Sequence, residues 1–211
     1  MSFDTLAPHY RWMERVLAGG KLQRCRTEFL GIISTPQNAL LVGEGNGRFL
    51  EEFVRRFPTT RITCLDASAN MLEQARRVAS PESEISFLHA NIFEWNPPRD
   101  HYDLIVTNFF LDCFVPEQLA QVVSKLGFAA RSYANWLLAD FCQPSEGWKK
   151  WRARWILASM YLFFRIATNL PAKQLAPPDQ VLTAYGFRLI ARKHFDWNLL
   201  HADYWKRDVR E

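Results

Sequence analysis

Leu40-Leu41-Val42-Gly43-Glu44-Gly45-Asn46-Gly47-Arg48-Phe49 is the segment from which the architecture of this chain can be worked out. A short apolar run ends in three glycines at alternate positions, and a helical pattern follows at once. That order is a strand, a tight loop and a helix start. Glycine lets the backbone take positive φ and lets a ligand lie directly on the main chain. The free N–H groups of the following helix then face that ligand. Downstream, Arg61-Ile62-Thr63-Cys64-Leu65 reads as a second strand that ends in Asp66. An acid about 20 residues past a glycine loop is placed to accept hydrogen bonds from a ribose.

The glycine spacing narrows the choice of nucleoside ligand. A dinucleotide fingerprint, G-x-G-x-x-G, would put its third small residue at Arg48, whose bulk opposes close helix–strand packing. The chain instead has G-x-G-x-G, which resembles motif I of the class I S-adenosylmethionine (SAM) methyltransferases. The resemblance continues in order along the chain. Asp66-Ala67-Ser68-Ala69-Asn70-Met71-Leu72 is similar to the family's D-x-S-x-x-M-L segment. Ile85-Ser86-Phe87-Leu88-His89-Ala90-Asn91-Ile92 resembles its third strand and adenine-edge loop. Tyr102-Asp103-Leu104-Ile105-Val106-Thr107 resembles its fourth strand, and Gly186-Phe187 its "GF" before the last strands.

What the resemblance implies is specific. Gly43, Glu44, Gly45, Asn46 and Gly47 would seat the aminoacyl part of SAM. Asp66 would hold the ribose, with Ala67 beside it. Met71 and Ile92 would sandwich the adenine, Asn91 would read its edge, and Asn108 would close the site after the fourth strand. The product would be S-adenosylhomocysteine, and no metal is implied. Two positions depart from the family pattern. Leu41 stands where an acid usually orders the loop, and Glu44 can take over some of that work, as in the Gly-Glu-Gly loop of thiopurine and tellurite-resistance methyltransferases. Asn91 replaces an acid, but its amide oxygen can still accept from an adenine amino group.

Size and composition set the remaining bounds. The chain of 211 residues fits one domain, 1–211, and its apolar content of 48% is that of a globular protein. A net charge of +4 does not demand a nucleic-acid partner. Cys25, Cys64, Cys113 and Cys142 are widely spaced and form no metal-binding pattern, so reduced structural thiols are expected. No leader pattern and no apolar run of about 18 residues is visible, so a cytoplasmic protein is expected.

Strands are expected at about 39–42, 61–65, 85–89, 102–107 and 135–140, alternating with helices that start near Gly47, Ser68 and Pro116. Ser68 suits an N-cap and Pro116 a first helical turn. Nearly continuous apolar strands fit a parallel sheet buried on both faces. The fold class is therefore α/β. The resemblance makes it a Rossmann-like, mostly parallel seven-stranded sheet flanked by helices, with a C-terminal antiparallel hairpin turning near Asp196-Trp197-Asn198. Residues 1–34 read as an N-terminal helical cap of two helices broken at Gly19-Gly20, and 146–178 as a helical lid insertion.

The acceptor side carries weaker signals. Ligands of open α/β sheets bind beyond the carboxyl ends of the strands. There Asn108-Phe109-Phe110-Leu111-Asp112-Cys113-Phe114 is apolar with one carboxylate. It lacks the prolines of base-methylating enzymes, which disfavours a nucleobase acceptor. Asp112 can act as a general base, although a turn acid is the plainer reading. Phe3-Asp4-Thr5-Leu6-Ala7-Pro8-His9-Tyr10 resembles the opening of quinone-biosynthesis-type methyltransferases, which would put Tyr10 in the site. His9 can deprotonate an acceptor hydroxyl, against the blander reading of a surface histidine. Residues 148–165 are basic and aromatic. They read as a lid over the substrate or a helix packed on the sheet, with peripheral membrane contact the competing reading.

The expected reaction is transfer of the SAM methyl group to a small apolar or aromatic acceptor. A non-catalytic SAM-binding or membrane-associated protein stays open as the alternative. A nicotinamide-dependent oxidoreductase is disfavoured by Arg48 and by the lack of an obvious Tyr-x-x-x-Lys pair.

Overall fold

The computed structural model describes residues 20–79, 82–142, 151 and 177–207. In these, helix α1 (Lys21–Thr27) precedes strand β1 (Asn38–Val42). There follow α2 (Arg48–Arg56), β2 (Arg61–Asp66), α3 (Ala69–Val78), β3 (Ile85–His89) and β4 (Tyr102–Asn108). A 3-10 turn at Leu111–Cys113 leads to α4 (Pro116–Ala129) and β5 (Ala130–Phe141). Helix α5 (Asp179–Ala184) and strands β6 (Phe187–Phe195) and β7 (Leu200–Arg207) complete the order. The strands form one seven-stranded sheet in the order β3-β2-β1-β4-β5-β7-β6. β1 to β5 pair in parallel, and β7 runs antiparallel to both β5 and β6.

The sheet is filled from both sides because the middles of its central strands are apolar, Ala39–Val42 in β1 and Leu104–Val106 in β4. All five residues of β1 are buried. Successive strand residues face opposite sides, so Leu40 and Val42 join one core layer and Ala39 and Leu41 the other. The first layer packs Val122, Val123 and Leu126 of α4 against Ile105 and Trp136. The second packs Phe49 and Phe53 of α2 and Leu72 of α3 against Leu104 and Val106. Each fully buried side chain of this size contributes roughly 1.5–3 kcal/mol. Leu41, where the resemblance leads one to expect an acid, is fully buried in the second layer.

Local chemistry sets the element starts. Ser68 accepts the Met71 N–H at 3.2 Å and caps α3. α4 begins on Pro116, whose missing N–H costs nothing there. The hairpin turns through Asp196, Trp197 and Asn198, all at positive φ. Two boundaries differ from the sequence reading. The second N-terminal helix ends at Thr27, and turns fill the stretch up to residue 33. β5 starts at Ala130, directly at the end of α4, because Ala130 pairs with Tyr102. The register shift between Tyr102 and Leu104 accommodates that extension. The first expected helix and nearly all of the lid segment 146–178 lie outside the described residues; Trp151 is helical and exposed.

Candidate active site

The glycine loop lies at the carboxyl end of β1, between β2 and β4. Gly43, Gly45 and Gly47 have φ of 67°, 68° and 82°, a region costly for any other residue. Each glycine answers a different neighbour. A Cβ on Gly43 would lie 2.5 Å from the Phe110 ring, so Gly43 admits the loop after β4. A Cβ on Gly47 would lie 2.5 Å from Val78 and 2.8 Å from the Ala75 backbone, so Gly47 admits α3. Gly47 thus takes the close-packing role that Arg48 cannot. A Cβ on Gly45 would meet nothing within 4 Å, so the space over the middle of the loop is open.

Two acids brace this loop. Glu44 Oε1 accepts the Leu50 N–H at 2.8 Å, turning an interior loop residue into a cap for α2. Burial pushes its carboxyl up to about 7 despite that bond. Asp66 accepts the Ser68 N–H through Oδ1 at 2.9 Å and the Gly45 N–H through Oδ2 at 3.3 Å. It therefore ties the end of β2 to the loop. Burial raises its carboxyl, while these bonds oppose the shift.

The other residues expected at the cofactor gather at the same strand ends. Met71 and Ile92 are buried, and the Ala67 carbonyl accepts from His89 Nε2 at 3.1 Å. Asn91 is partly committed, because its Oδ1 accepts the Phe93 N–H at 3.1 Å and stiffens its own loop. One lone pair of that oxygen remains for a ligand. Asn46 and Asn108 are both buried. The Asn46 Nδ2 and both amide atoms of Asn108 have no hydrogen-bond partner. Orphaned buried amides are costly, and a polar ligand over the loop would satisfy them. Glycines that bare the main chain, an acid at the end of β2 and orphaned amides on either side fit a nucleoside with an aminoacyl arm.

The sequence reading singled out only Asp112 on the acceptor side. The structure adds Asp140, the last but one residue of β5, hydrogen-bonded to Asp112. Asp140 accepts the Phe110 N–H and is 2% exposed. Burial pushes Asp112 up to about 6, and burial with the facing Asp112 charge drives Asp140 well above the usual carboxylate range. Behind them, Asp140 stands opposite His201 in the β5–β7 register. His201 Nδ1 lies 2.9 Å from Asp203 Oδ1, and Arg192 donates to Asp203 at 2.6 and 2.7 Å. Burial alone would raise the Asp203 carboxyl, but Arg192 and His201 outweigh it and hold it low. Asp140 had a sequence signal: like Asp66, it is an acid that ends an apolar strand. His201, Asp203 and Arg192 had none, because only strand pairing brings them there. Tyr10 and His9 lie outside the described residues. Among the described residues, no group of three side chains could hold a metal ion, and no helix is long and apolar enough to cross a membrane.

Comparison with known proteins places this geometry. Residues 39–130 match the family model described as a methyltransferase domain. The chain is 39% identical over 95 residues to trans-aconitate 2-methyltransferase of Rhodopseudomonas palustris, covering 45% of this chain and 35% of that protein. It is 35% identical over 71 residues to malonyl-[acyl-carrier protein] O-methyltransferase 1 of Ilyobacter polytropus, covering 34% and 26%. The matched stretch therefore spans about a third of these relatives. The fold is shared with the 1,6-didemethyltoxoflavin-N1-methyltransferase of Burkholderia thailandensis, solved with S-adenosylhomocysteine. The TM-score is 0.65 and the identity 13%, over 97% of this chain and 84% of that one. Residues 39–130 thus match a methyltransferase domain, and the fold is that of solved methyltransferases, one of them with S-adenosylhomocysteine bound.

Proposed function

We propose that this chain transfers a methyl group from SAM to a small acceptor with an apolar or aromatic body. The observation that carries the reading is the braced glycine loop, with Asp66 tied to Gly45 and unsatisfied amides at Asn46 and Asn108. Bound SAM supplies an activated methyl group on a sulfonium, which is already a good leaving group. The protein's own work is then positioning and exclusion of water, worth several kcal/mol and up to about ten. Gly43, Gly45 and Gly47 hold the aminoacyl arm on bare backbone, and Glu44 fixes the loop from within. Asp66 and Ala67 hold the ribose side, Met71 and Ile92 flank the adenine, and Asn91 meets its edge. Asn108 stands at the end of β4, next to the loop whose Phe110 packs on Gly43. Phe109, Phe110, Phe114 and Phe141 pack on one another in pairs beside it, which favours an apolar acceptor body.

Calorimetric titration with SAM, S-adenosylhomocysteine and NAD tests the reading. The two SAM-type ligands should bind at micromolar concentration, and NAD should not. Asp66→Ala should weaken SAM-type binding by at least about tenfold, the cost of roughly one charge-assisted hydrogen bond. Binding of NAD alone, or unchanged affinity in the variant, would refute it.

A further inference from the structure

The turn that follows β3 is fastened by a residue from a distant helix. Its first half is local. The Glu94 and Trp95 N–H groups both donate to the Asn91 carbonyl, at 3.0 and 2.9 Å. The Phe93 N–H donates to Asn91 Oδ1 at 3.1 Å. This is one helical turn capped at its start by its own first side chain. A single turn leaves its last carbonyls without partners inside the turn. Lys125 meets two of them. Its Nζ donates to the Phe93 carbonyl at 2.5 Å and to the Trp95 carbonyl at 2.8 Å. A cation at the carbonyl end of a turn is also favoured by the peptide dipoles. Lys125 is on α4, three residues after Val122 and one before Leu126, both buried. It is half-buried at the edge of that apolar stripe, from which its stem reaches the turn.

The same turn is joined to the glycine loop by a row of rings. Phe93 meets Phe114 edge to face with centroids 5.6 Å apart, and Phe114 meets Phe110 likewise at 5.0 Å. Phe110 fills the space beside Gly43. Ile92 and Trp95 are buried in the core layer that also holds Val122 and Leu126 of α4. The turn can therefore shift only by breaking the Lys125 bonds and disturbing this packing. What it aims is the Asn91 amide. Asn91 Oδ1, already bonded to the Phe93 N–H, has one lone pair left, and its direction is fixed by the turn. An oxygen so placed favours an amino group on a ring. A carbonyl in the same place would set two acceptors against each other.

We propose that Lys125 is a positioning residue that sets the preference of this site for adenine over a base carrying a carbonyl in place of the amino group. This rests on the SAM-binding reading above, in which Asn91 meets the adenine edge. Lys125 acts through the main chain of the turn and not by touching the ligand. It holds Asn91 and Ile92 at the angle that the base requires. The aminoacyl arm is seated elsewhere, on the glycine loop, so Lys125 governs base discrimination more than overall affinity.

The test is calorimetric titration of the full chain with S-adenosylhomocysteine and with S-inosylhomocysteine, its analogue with a carbonyl at the amino position. The unaltered chain should prefer the adenine form by at least about tenfold, the scale of one mismatched hydrogen bond. Lys125→Met keeps the apolar stem and removes the donor. It should bring the preference within about threefold, mainly by weakening the adenine form. Lys125→Arg, which keeps a cation, should recover most of the preference. Lys125→Gln, shorter and uncharged, gives the same readout should Lys125→Met not fold. Ile33→Ala, a cavity in the second core layer before β1, serves as the stability control and should leave the preference unchanged. An undiminished preference in Lys125→Met overturns the proposal, as does an equal loss in Ile33→Ala. So does an unaltered chain that binds both ligands equally well. Failure of the unaltered chain to bind S-adenosylhomocysteine at all overturns the SAM-binding reading, and this one with it.

Discussion

Single residues in the loop are held by what lies beyond them in space. Gly47 is the clearest case. Its φ of 82° excludes most side chains, and an added Cβ would meet the Ala75 backbone at 2.8 Å. Gly47→Ala should therefore destabilise the chain by about 2–4 kcal/mol, from left-handed strain plus overpacking against α3. A urea unfolding curve checks this, and a loss below about 0.5 kcal/mol would mean α3 moves aside freely. Gly45, with open space around it, should tolerate a side chain sterically but not conformationally. The same alternation of glycines thus serves three purposes, and of the three only Gly45 has open space where a side chain would stand.

At the scale of elements, α3 shows how a short helix is started and aimed. Ser68 gives α3 an oxygen for the Met71 N–H, and the Asp66 carboxylate binds the Ser68 N–H in turn. The chain leaves β2, passes Asp66 and is turned at once into a helix that carries Met71. Ser68→Ala should cost about 1 kcal/mol of stability. It should also weaken SAM-type ligands, because Asp66 and Met71 lose their common anchor. Paired chemical unfolding and calorimetry would measure both, and intact affinity in a destabilised variant would show that the cap acts on folding alone. β5 makes the complementary point. Its first residues, Ala130-Arg131-Ser132-Tyr133-Ala134, have no apolar strand pattern, and pairing with β4 makes Ala130 part of the sheet.

Across the whole molecule, buried acids set the response to pH. Glu44, Asp66, Asp112 and Asp140 all have carboxyls raised by burial, whereas Asp203 is lowered. A raised acid binds more protons folded than unfolded. Its stabilisation is complete below its unfolded pKa near 4 and is lost as pH rises through the folded value. For Glu44 and Asp112 that loss falls between about pH 4 and values of about 7 and about 6. The chain should therefore be more stable at pH 5 than at pH 8, opposite to a protein held by salt-bridged carboxylates. Glu44→Gln keeps an oxygen for the Leu50 N–H and removes the titration. It should match the unaltered chain near pH 5 and exceed it by on the order of 1–2 kcal/mol at pH 8. Unfolding curves at the two pH values measure the gap, and a gap independent of pH would contradict the assignment.

The glycine loop and the acid tied to it were legible along the chain because local rules produce them. A strand, a glycine loop and a helix start are contiguous, and Asp66 and Met71 follow within one βα unit, so spacing alone carries the pattern. The order of the first five strands and the closing hairpin could be read for the same reason: each is a short apolar or alternating run bounded by turn residues. What tertiary structure decided is wherever distant segments meet. The Asp112–Asp140 pair joins the turn after β4 to the end of β5, and His201, Asp203 and Arg192 reach it only through antiparallel pairing of β7 with β5 and β6. No spacing rule encodes such contacts, because they depend on register across the sheet and on burial, which raises the carboxyls of Asp112 and Asp140.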